Sequence, residues 1–513
     1  MKDGFMQIGL IGLLGFMLIQ SPLVFAQGDD EKVTLERAEY LDKDPKNPTI
    51  RKLVRQVIVK HKGTIFYCDS AHLHEEKNAV DAFGNTRMVG EDGTVLTADS
   101  MYYDGDTQTA RAIGKVFLND NKMRLQTKQL DYDLANGLAH YYAGGKLEDS
   151  EKTLTSETGT YDTNAKIFYF KNKVELISKQ NQQKINTDNL TYNSISKIVY
   201  FKGKTKIESK DGIVYTNEGD FNTQTQVSNF RGRTKLEDED YYLEGDSLYF
   251  DNTLKIGYAL GNVFMQSKKD SLIAESDFAW YRGKEGESKL YGNVIARSFS
   301  EKDTLFLKAD TLYTLNEKEG QQRKFFSAYP KAKFLRTELQ GIADSLVYNR
   351  ADSTISFFTD PVLWNKDSQM SADSIKIQLA NNKPKNLVMR RNAYLISQDS
   401  LKNYNQLKGK FITAFFHDND IKYMHVRGNS ENIYFALDEK SNQLIGMNRI
   451  ECTDMNIVFK PDNKIHRISY INKAEAQFVP PHEIEEPQKK FKNFRWRIDE
   501  KPQRNEMRRV MVQ

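Results

Sequence analysis

Cysteine is nearly absent from this chain: Cys68 and Cys452 are the only two among 513 residues. Lying so far apart, they cannot form the disulfide framework that staples small exported domains. Proline is scarce at 11 residues, while Tyr and Phe are abundant. Neither sign of charge dominates, with 74 Lys and Arg against 70 Asp and Glu, so the field of the whole chain does not point to a nucleic-acid partner. After residue 19 there is no long apolar run, and mean hydropathy is −0.66. Apolar residues at helical spacing of three and four are also missing beyond that point, so no long amphipathic helix is expected. No nucleophile elbow, phosphate-binding loop or Cys-x-x-Cys occurs.

What is present begins with an export signal. Lys2 precedes an apolar run from Ile8 to Ile19, and Val24, Phe25 and Ala26 form a small-residue site, which predicts a leader over residues 1–26 cut before Gln27. The run is short for a membrane span, which needs about 20 residues. No Cys near the cut offers a lipoprotein anchor.

The mature chain is built on a repeat. LTADSMYYD at 96–104 returns in variant form, anchored on a position that is acidic in all but one copy. The anchors read as Asp99, Lys128, Glu157, Asp188, Glu218, Asp246, Glu275, Asp310, Asp344 and Asp373, at spacings of 29, 29, 31, 30, 28, 29, 35, 34 and 29. Two residues on, the position is usually apolar (Met101, Leu130, Leu190, Leu248, Leu312, Leu346, Ile375), and four on it is often aromatic (Tyr103, Tyr132, Tyr161, Tyr192, Phe250, Tyr348). Residues two apart share one face of a β-strand, so each repeated strand has an apolar face.

A second half-motif follows each anchor: AIGKVFL at 112–118, FKNKVEL at 170–176, FKGKTKI at 201–207, ALGNVFM at 259–265, LYGNVIA at 290–296 and FTDPVLW at 358–364. A Gly, Asn or Asp corner precedes alternating apolar positions there. With turn signals at Asp104-Gly105, Asn136-Gly137, Asp211-Gly212 and Gly203, each unit reads as two strands and two turns. A propeller blade needs about four strands in 40 or more residues. A membrane barrel needs a lipid-facing band, whereas the second face here carries Lys, Asp, Asn and Ser. The pattern therefore predicts an all-β, elongated stack of roughly fifteen units, reaching roughly 70 Å at about 4.8 Å per strand.

An Ala-Asp-Ser-apolar-x-Tyr strand followed by a Gly-Asn-Val corner resembles the OstA family, which comprises the periplasmic lipopolysaccharide-transport bridge protein and the soluble N-terminal domain of the outer-membrane lipopolysaccharide translocon. The residues that carry the resemblance are TADSMYYD (97–104), EGDSLYFD (244–251) with ALGNVFM, GIADSLVYN (341–349) and MSADSIKI (370–377). The resemblance implies an open β-jelly-roll of two V-shaped antiparallel sheets, a periplasmic location with possible attachment at the outer membrane, and acyl chains of lipopolysaccharide or a related glycolipid held inside. It implies no enzyme activity and no cofactor. Its implied partners are an inner-membrane extractor complex and an outer-membrane translocon, reached by strand-edge pairing, with head-to-tail self-association as a further expectation. The organisation expected is OstA-like repeats over 27–315, further repeats over 316–475, and a Pro-containing linker with a basic aromatic tail over 476–513.

Groove-lining roles fall to Val116, Leu118, Val174, Leu176, Ile207, Val263, Met265, Val294, Val362 and Trp364. The other reading of the same residues is a closed, dry core in a β-repeat scaffold or surface adhesin. An enzyme on a repetitive scaffold would show unusual polar residues clustered in a few units, and none stands out. His72 and His74 flank Leu73 beside Glu75 and Glu76, too few close ligands for a metal, and read as an exposed polar strand. The tail after Pro480, Pro481 and Pro487 holds nine Lys or Arg against three acidic residues over 489–513. Lys489, Lys490, Lys492, Arg495 and Arg497, interleaved with Phe491, Phe494 and Trp496, read either as a grip on lipid phosphates or as a solvated tail.

Overall fold

The computed structural model describes residues 32–508 except 45, 121–122, 181, 270, 301–302, 317–323, 382, 418–419, 439 and 462–463; the expected leader lies outside the described residues. From Thr34 to Val479 the described residues form one antiparallel strand after another, and short 3-10 turns follow from Pro481. No helix among them is long and apolar enough to cross a membrane. The chain divides into two compact units, the first ending at Ala139 and the second beginning at His140. The boundary expected at 315/316 falls inside the second unit, where Thr304–Leu315 pairs with both Phe325–Tyr329 and Ala332–Leu335.

In the first unit the repeat is a pair of strands folded across a common line. Val95–Asp104 and Thr109–Asp120 pair as a hairpin, but their register breaks between Thr97 and Ser100 on one strand and between Ile113 and Phe117 on the other. A bulge of this kind bends a strand and lets its inward side resume after an irregular step. Leu96, Ala98, Met101 and Tyr103 are all buried, although Ala98 and Met101 are three apart; on the partner Ala110, Ala112, Val116 and Leu118 are buried, with a step of four. Strict alternation would have turned Met101 outward. Both halves of each strand therefore present an apolar face inward, and the two faces touch: His61 Nδ1 lies 2.7 Å from the Tyr103 hydroxyl, and the Phe66 and Tyr103 rings are 4.6 Å apart.

The acidic anchor and the glycine corner prove to be two sides of this crease. Asp99 Oδ2 accepts a hydrogen bond from the Lys115 backbone N–H at 3.0 Å, just after Gly114 at φ +105°. Gly114 is required twice over, because its conformation lies in the left-handed region and an added Cβ would overlap the Asp99 carboxylate. In the second unit Asp188 Oδ2 accepts from the Lys204 N–H at 2.9 Å, and Asp246 and Asp277 accept from Asn262 and Asn293 side chains at 2.9 Å each. Asp69 takes Asn85 in the same way in the first unit, at 2.8 Å.

This corrects two details of the sequence reading. Gly203, and the other glycine corners of the half-motif, are bulges within strands rather than turns between them, whereas Asp104-Gly105, Asn136-Gly137 and Asp211-Gly212 mark turns between strands as expected. The anchors of two copies are Asn217 and Asp277, not Glu218 and Glu275, since the register breaks between Tyr215 and Glu218 and between Glu275 and Phe278.

Inside the second unit one apolar cluster runs from Ala274 to Ile457 and joins both sides of the crease: Leu290 with Val294, Met389 with Ala393, and Ile412 with Leu407. Phe334 and Phe357, from opposite sides, have ring centroids 5.4 Å apart. Hydroxyls along the crease satisfy the backbone carbonyls that the bulges release. Thr187 Oγ1 donates to Asn189 O at 3.3 Å and Ser276 Oγ to Phe278 O at 2.9 Å.

Candidate functional site

The inward face is the feature that recurs along the chain, and eight of the ten expected lining residues lie on it. Val116, Leu118, Val174, Leu176, Ile207, Val263 and Val294 are buried there, and Met265 is half-buried. Each follows a bulge by a fixed step, so the crease decides which side of the strand they take.

Val362 and Trp364 are placed differently. The cross-strand row Ala296, Leu307, Phe334, Gly341, Leu363 runs in register from Val294's strand, so Leu363 shares the inward face. Its neighbours Val362 and Trp364 point the opposite way, and both are fully buried. The corner in FTDPVLW is Thr359 and Asp360, at φ +62° and +53°, so Pro361 holds the place that Val263 holds in ALGNVFM. A slip of one residue exchanges faces. Trp364 Nε1 is buried without a hydrogen-bond partner among the described residues.

The reason an outward face is buried here is the tail. Residues after Val479 lie as an extended strap across the outer face of the half-sheet that contains Trp364. Gln369 and Gln406, each 1% exposed, hold it by their amide groups. Gln406 Nε2 donates to Lys489 O at 2.7 Å while its Oε1 accepts from Phe491 N at 3.1 Å; Gln369 Nε2 donates to Arg495 O at 2.8 Å while its Oε1 accepts from Arg497 N at 2.6 Å. Each glutamine thus closes the two-bond ring that a neighbouring strand would make with residues i and i+2. Phe491 is buried against Tyr394, Ile396, Ile433, Phe435, Met447 and Val479, with Phe494 and Trp496 packed at the margin.

Of the tail's basic residues, Arg497 is committed to carboxylates. It meets Glu500 at 2.6 Å and Asp360 at 2.7 Å, and the Glu500 contact first, then Asp360, raises its pKa against the opposing effect of burial. Lys489 pairs with Glu486 at 2.6 Å. Lys490 stacks over Tyr404 and Phe494, whereas Lys492 and Arg495 are exposed. The sequence pattern of aromatics and cations was visible; the strap was not, because its partners are two glutamines more than eighty residues away.

Other polar groups serve the fold. An open depression of about 500 Å³ lies across the crease among Lys173, Glu175, Asp188, Lys204, Lys206 and Tyr215, but Lys173 is paired with Glu157 at 2.6 Å and Lys206 with Glu208 at 2.5 Å. Lys152 is buried over the Tyr192 ring at 4.5 Å with Asp149 at 3.2 Å; burial opposes its charge, and Tyr192 and Asp149 outweigh burial, so its pKa rises. His74 Nε2 meets Asp81 Oδ2 at 2.9 Å, and His72 packs edge-on against Phe83. No cluster of three metal-ligating side chains occurs among the described residues. Cys68 and Cys452 are both free and buried, and burial pushes the Cys68 thiol up to about 11.

A creased antiparallel β-repeat with an apolar inward face defines a class. The model of the family described as "OstA-like protein" matches residues 30–184 and 178–246, and that of "LptA/(LptD N-terminal domain) LPS transport protein" matches 273–383. The chain is an OstA-like protein of the lipopolysaccharide-transport type. Among solved structures it is similar to LptH from Pseudomonas aeruginosa, described as the LptA-homologous periplasmic component of the lipopolysaccharide transport device, at 19% identity and a TM-score of 0.20 over 21% of this chain and 81% of that one. No curated protein matches the chain.

Proposed function

We propose that this protein takes part in lipopolysaccharide transport as a periplasmic, non-enzymatic carrier whose inward faces shield the acyl chains of lipopolysaccharide, or of a related glycolipid, on the way to the outer membrane. The observation that carries this reading is the inward face itself, which is apolar on both sides of the creases, with Thr or Ser at many of the creases, although the crease breaks strand alternation. Each buried methylene contributes about 0.8 kcal/mol, so a multi-acylated lipid cannot cross water alone. Many near-equivalent sites in a row let it move without being trapped at one.

Partners join at the sheet ends. Thr34–Arg37 and Tyr40–Lys43 pair on one edge only, with Ile50–His61, and leave Tyr40 and Leu41 exposed. At the other end Ile465–Ile471 and Glu475–Val479 pair with Leu444–Phe459 and leave Phe478 exposed. Such edges accept a strand from an inner-membrane extractor complex, an outer-membrane translocon or a second copy.

A dry-cored scaffold is the competing reading, and the near-complete burial of Val116, Val174, Val263 and Val294 favours it. The test is a photo-crosslinking residue at Val174 or at Val263, with Glu175 as the outward control, in protein purified from the envelope. Glycolipid adducts at both inward positions and none at Glu175 are expected; no inward adduct would leave the scaffold.

A further inference from the structure

The second unit is not uniform along its length. In strands from Ile198–Ser209 to Leu272–Arg282 several inward apolar residues, Val214, Leu236, Leu243, Met265 and Leu272, are only half-buried. Gly219, Gly245, Gly257 and Ala259 occupy inward positions between them, and larger neighbours such as Phe201, Leu248 and Phe250 lean over the glycines. Beyond residue 360 the inward face is more completely filled: Leu363, Met389, Ala393, Leu407, Ile412 and Met455 are each at most 5% exposed, although Met370 and Leu395 in the same row are half-buried. The strap bonds to strands from Thr304–Leu315 to Tyr404–His417.

Resting on the acyl-shielding reading above, we propose that the strap, residues 489–508, is a brace that holds the C-terminal interior shut and confines the acyl-chain path of this unit to the strands between Ile198 and Arg282. The brace ties four strands of one half-sheet, with Gln340–Ala343, Val362–Asn365 and Lys383–Gln398 spanned between them. It is fixed to Tyr404–His417 through Gln406, to Ser368–Ser371 through Gln369, and to Thr304–Leu315 and Ala332–Leu335 through Glu506, whose O and Oε2 take Lys308 Nζ and Lys333 Nζ at 3.0 Å each. To admit a chain between the inward faces, the two halves of each strand must part at the crease, which changes the angle between neighbouring strands. A tie running across the strands resists that change; the unbraced strands have none.

The forks read backbone groups, so the geometry holds the strap by position rather than by one side chain. Release from Ser368–Ser371 and Tyr404–His417 therefore needs both glutamines and the buried ring, Gln369→Leu, Gln406→Leu and Phe491→Ala together, while Met507, fully buried, and Glu506 keep the far end in place.

The test places a photo-crosslinking residue at Met265 or at Ile412, in the full chain and in the triple variant, and incubates each with purified lipopolysaccharide. The full chain is expected to give adducts at Met265 and about tenfold fewer at Ile412, equivalent to about 1.4 kcal/mol; the triple variant is expected to raise Ile412 adducts to the Met265 level. Equal labelling of both sites in the full chain, or no gain at Ile412 on release, would overturn the brace while leaving the carrier reading intact. No adduct at either site in either protein would overturn the carrier reading and the brace with it. Amide hydrogen exchange reports the brace without lipid: release is expected to speed exchange about tenfold in Tyr404–His417 and leave Ile198–Ser209 unchanged, and unchanged exchange in both strands would also overturn it.

Discussion

Two stretches of the second unit use the same repeat and end in different states. Around Met265 only the inward face is packed, with Met265 and Leu243 half-buried beside Leu248 and Val263, while Tyr258, Leu260 and Phe278 on the outer face stay exposed. Around Leu407 the half-sheet is apolar on both faces: Leu407 belongs to the interior, while Ile396 and Ile433, in register with Gln406 on the other face, pack under Phe491. A β-strand buried on one side reads as alternation; one buried on both reads as a continuous apolar run. The second stretch is thus a three-layer structure, strap on sheet on sheet, and its third layer is supplied by a segment whose sequence looks solvated.

Removing that layer should have the largest effect. A chain ending at Val479 would expose Trp364, Ile396, Ile433, Phe435 and Met447 together and strip both forks of their partners. Burying one large apolar side chain contributes about 1.5–3 kcal/mol, so a loss of about 5 kcal/mol or more is expected, confined to the strands from Thr304 onward. Amide exchange should show it there and not near Met265, together with concentration-dependent association through the uncovered face.

Breaking a crease tests the feature both stretches share. Gly261→Val forces a β-branched residue to φ +71° and drives its Cβ into the Asp246 carboxylate. Strain of this kind costs about 1–3 kcal/mol, and displacement of Asp246 adds to it. Asp246→Ala at the same crease keeps the backbone and removes the bond to Asn262, with about 1 kcal/mol expected. Urea midpoints of the two variants should differ in that order. Since Met265 lies just past this bulge, the valine variant should also change its burial, which a crosslinking residue at Met265 would report.

A single fork is a smaller perturbation. Gln406→Ala leaves Lys489 O and Phe491 N without partners in a buried setting, at about 1–3 kcal/mol. Exchange should rise in the strap from Lys489 to Phe491, while the Gln369 fork holds Arg495 and Arg497.

The repeat was legible because its period comes from pairs of strands of nearly constant length, which fixes both the anchor spacing and the inward positions after each corner. Val116, Val174, Val263 and Val294 were placed correctly by that rule alone. The rule failed at Val362 and Trp364, where the corner carries no glycine and Pro361 takes the inward place, so the copy was aligned one residue late. It also misread the corners as turns. Glycine at positive φ serves a bulge and a turn equally well, and only the partner Asp, fifteen or sixteen residues earlier, tells them apart. The strap left no local trace, because Gln369 and Gln406 are ordinary strand residues until the tail arrives.

The smallest expected effect separates the packed first unit from the solvent and depends on pH. Cys68 sits on the inward side of Thr64–His74 at 7% exposure, and its thiol is raised to about 11 by burial, with the Phe83 backbone acting the other way and Asp69 adding to the rise. A thiol whose folded pKa lies above its unfolded value favours the fold while it stays neutral. The contribution is therefore whole below the unfolded value, near 9, and is lost as pH climbs from there through about 11. Two pKa units correspond to about 2.7 kcal/mol at most, and relaxation near the surface of the crease reduces it. Cys68→Ala should flatten the fall in first-unit stability between those pH values and leave stability at pH 7 changed only by the lost packing of a sulfur. In the unaltered protein at pH 8 a thiol reagent should label Cys68 only after unfolding; rapid labelling of the folded protein would mean that the two inward faces part at this crease, as is proposed for the strands around Met265.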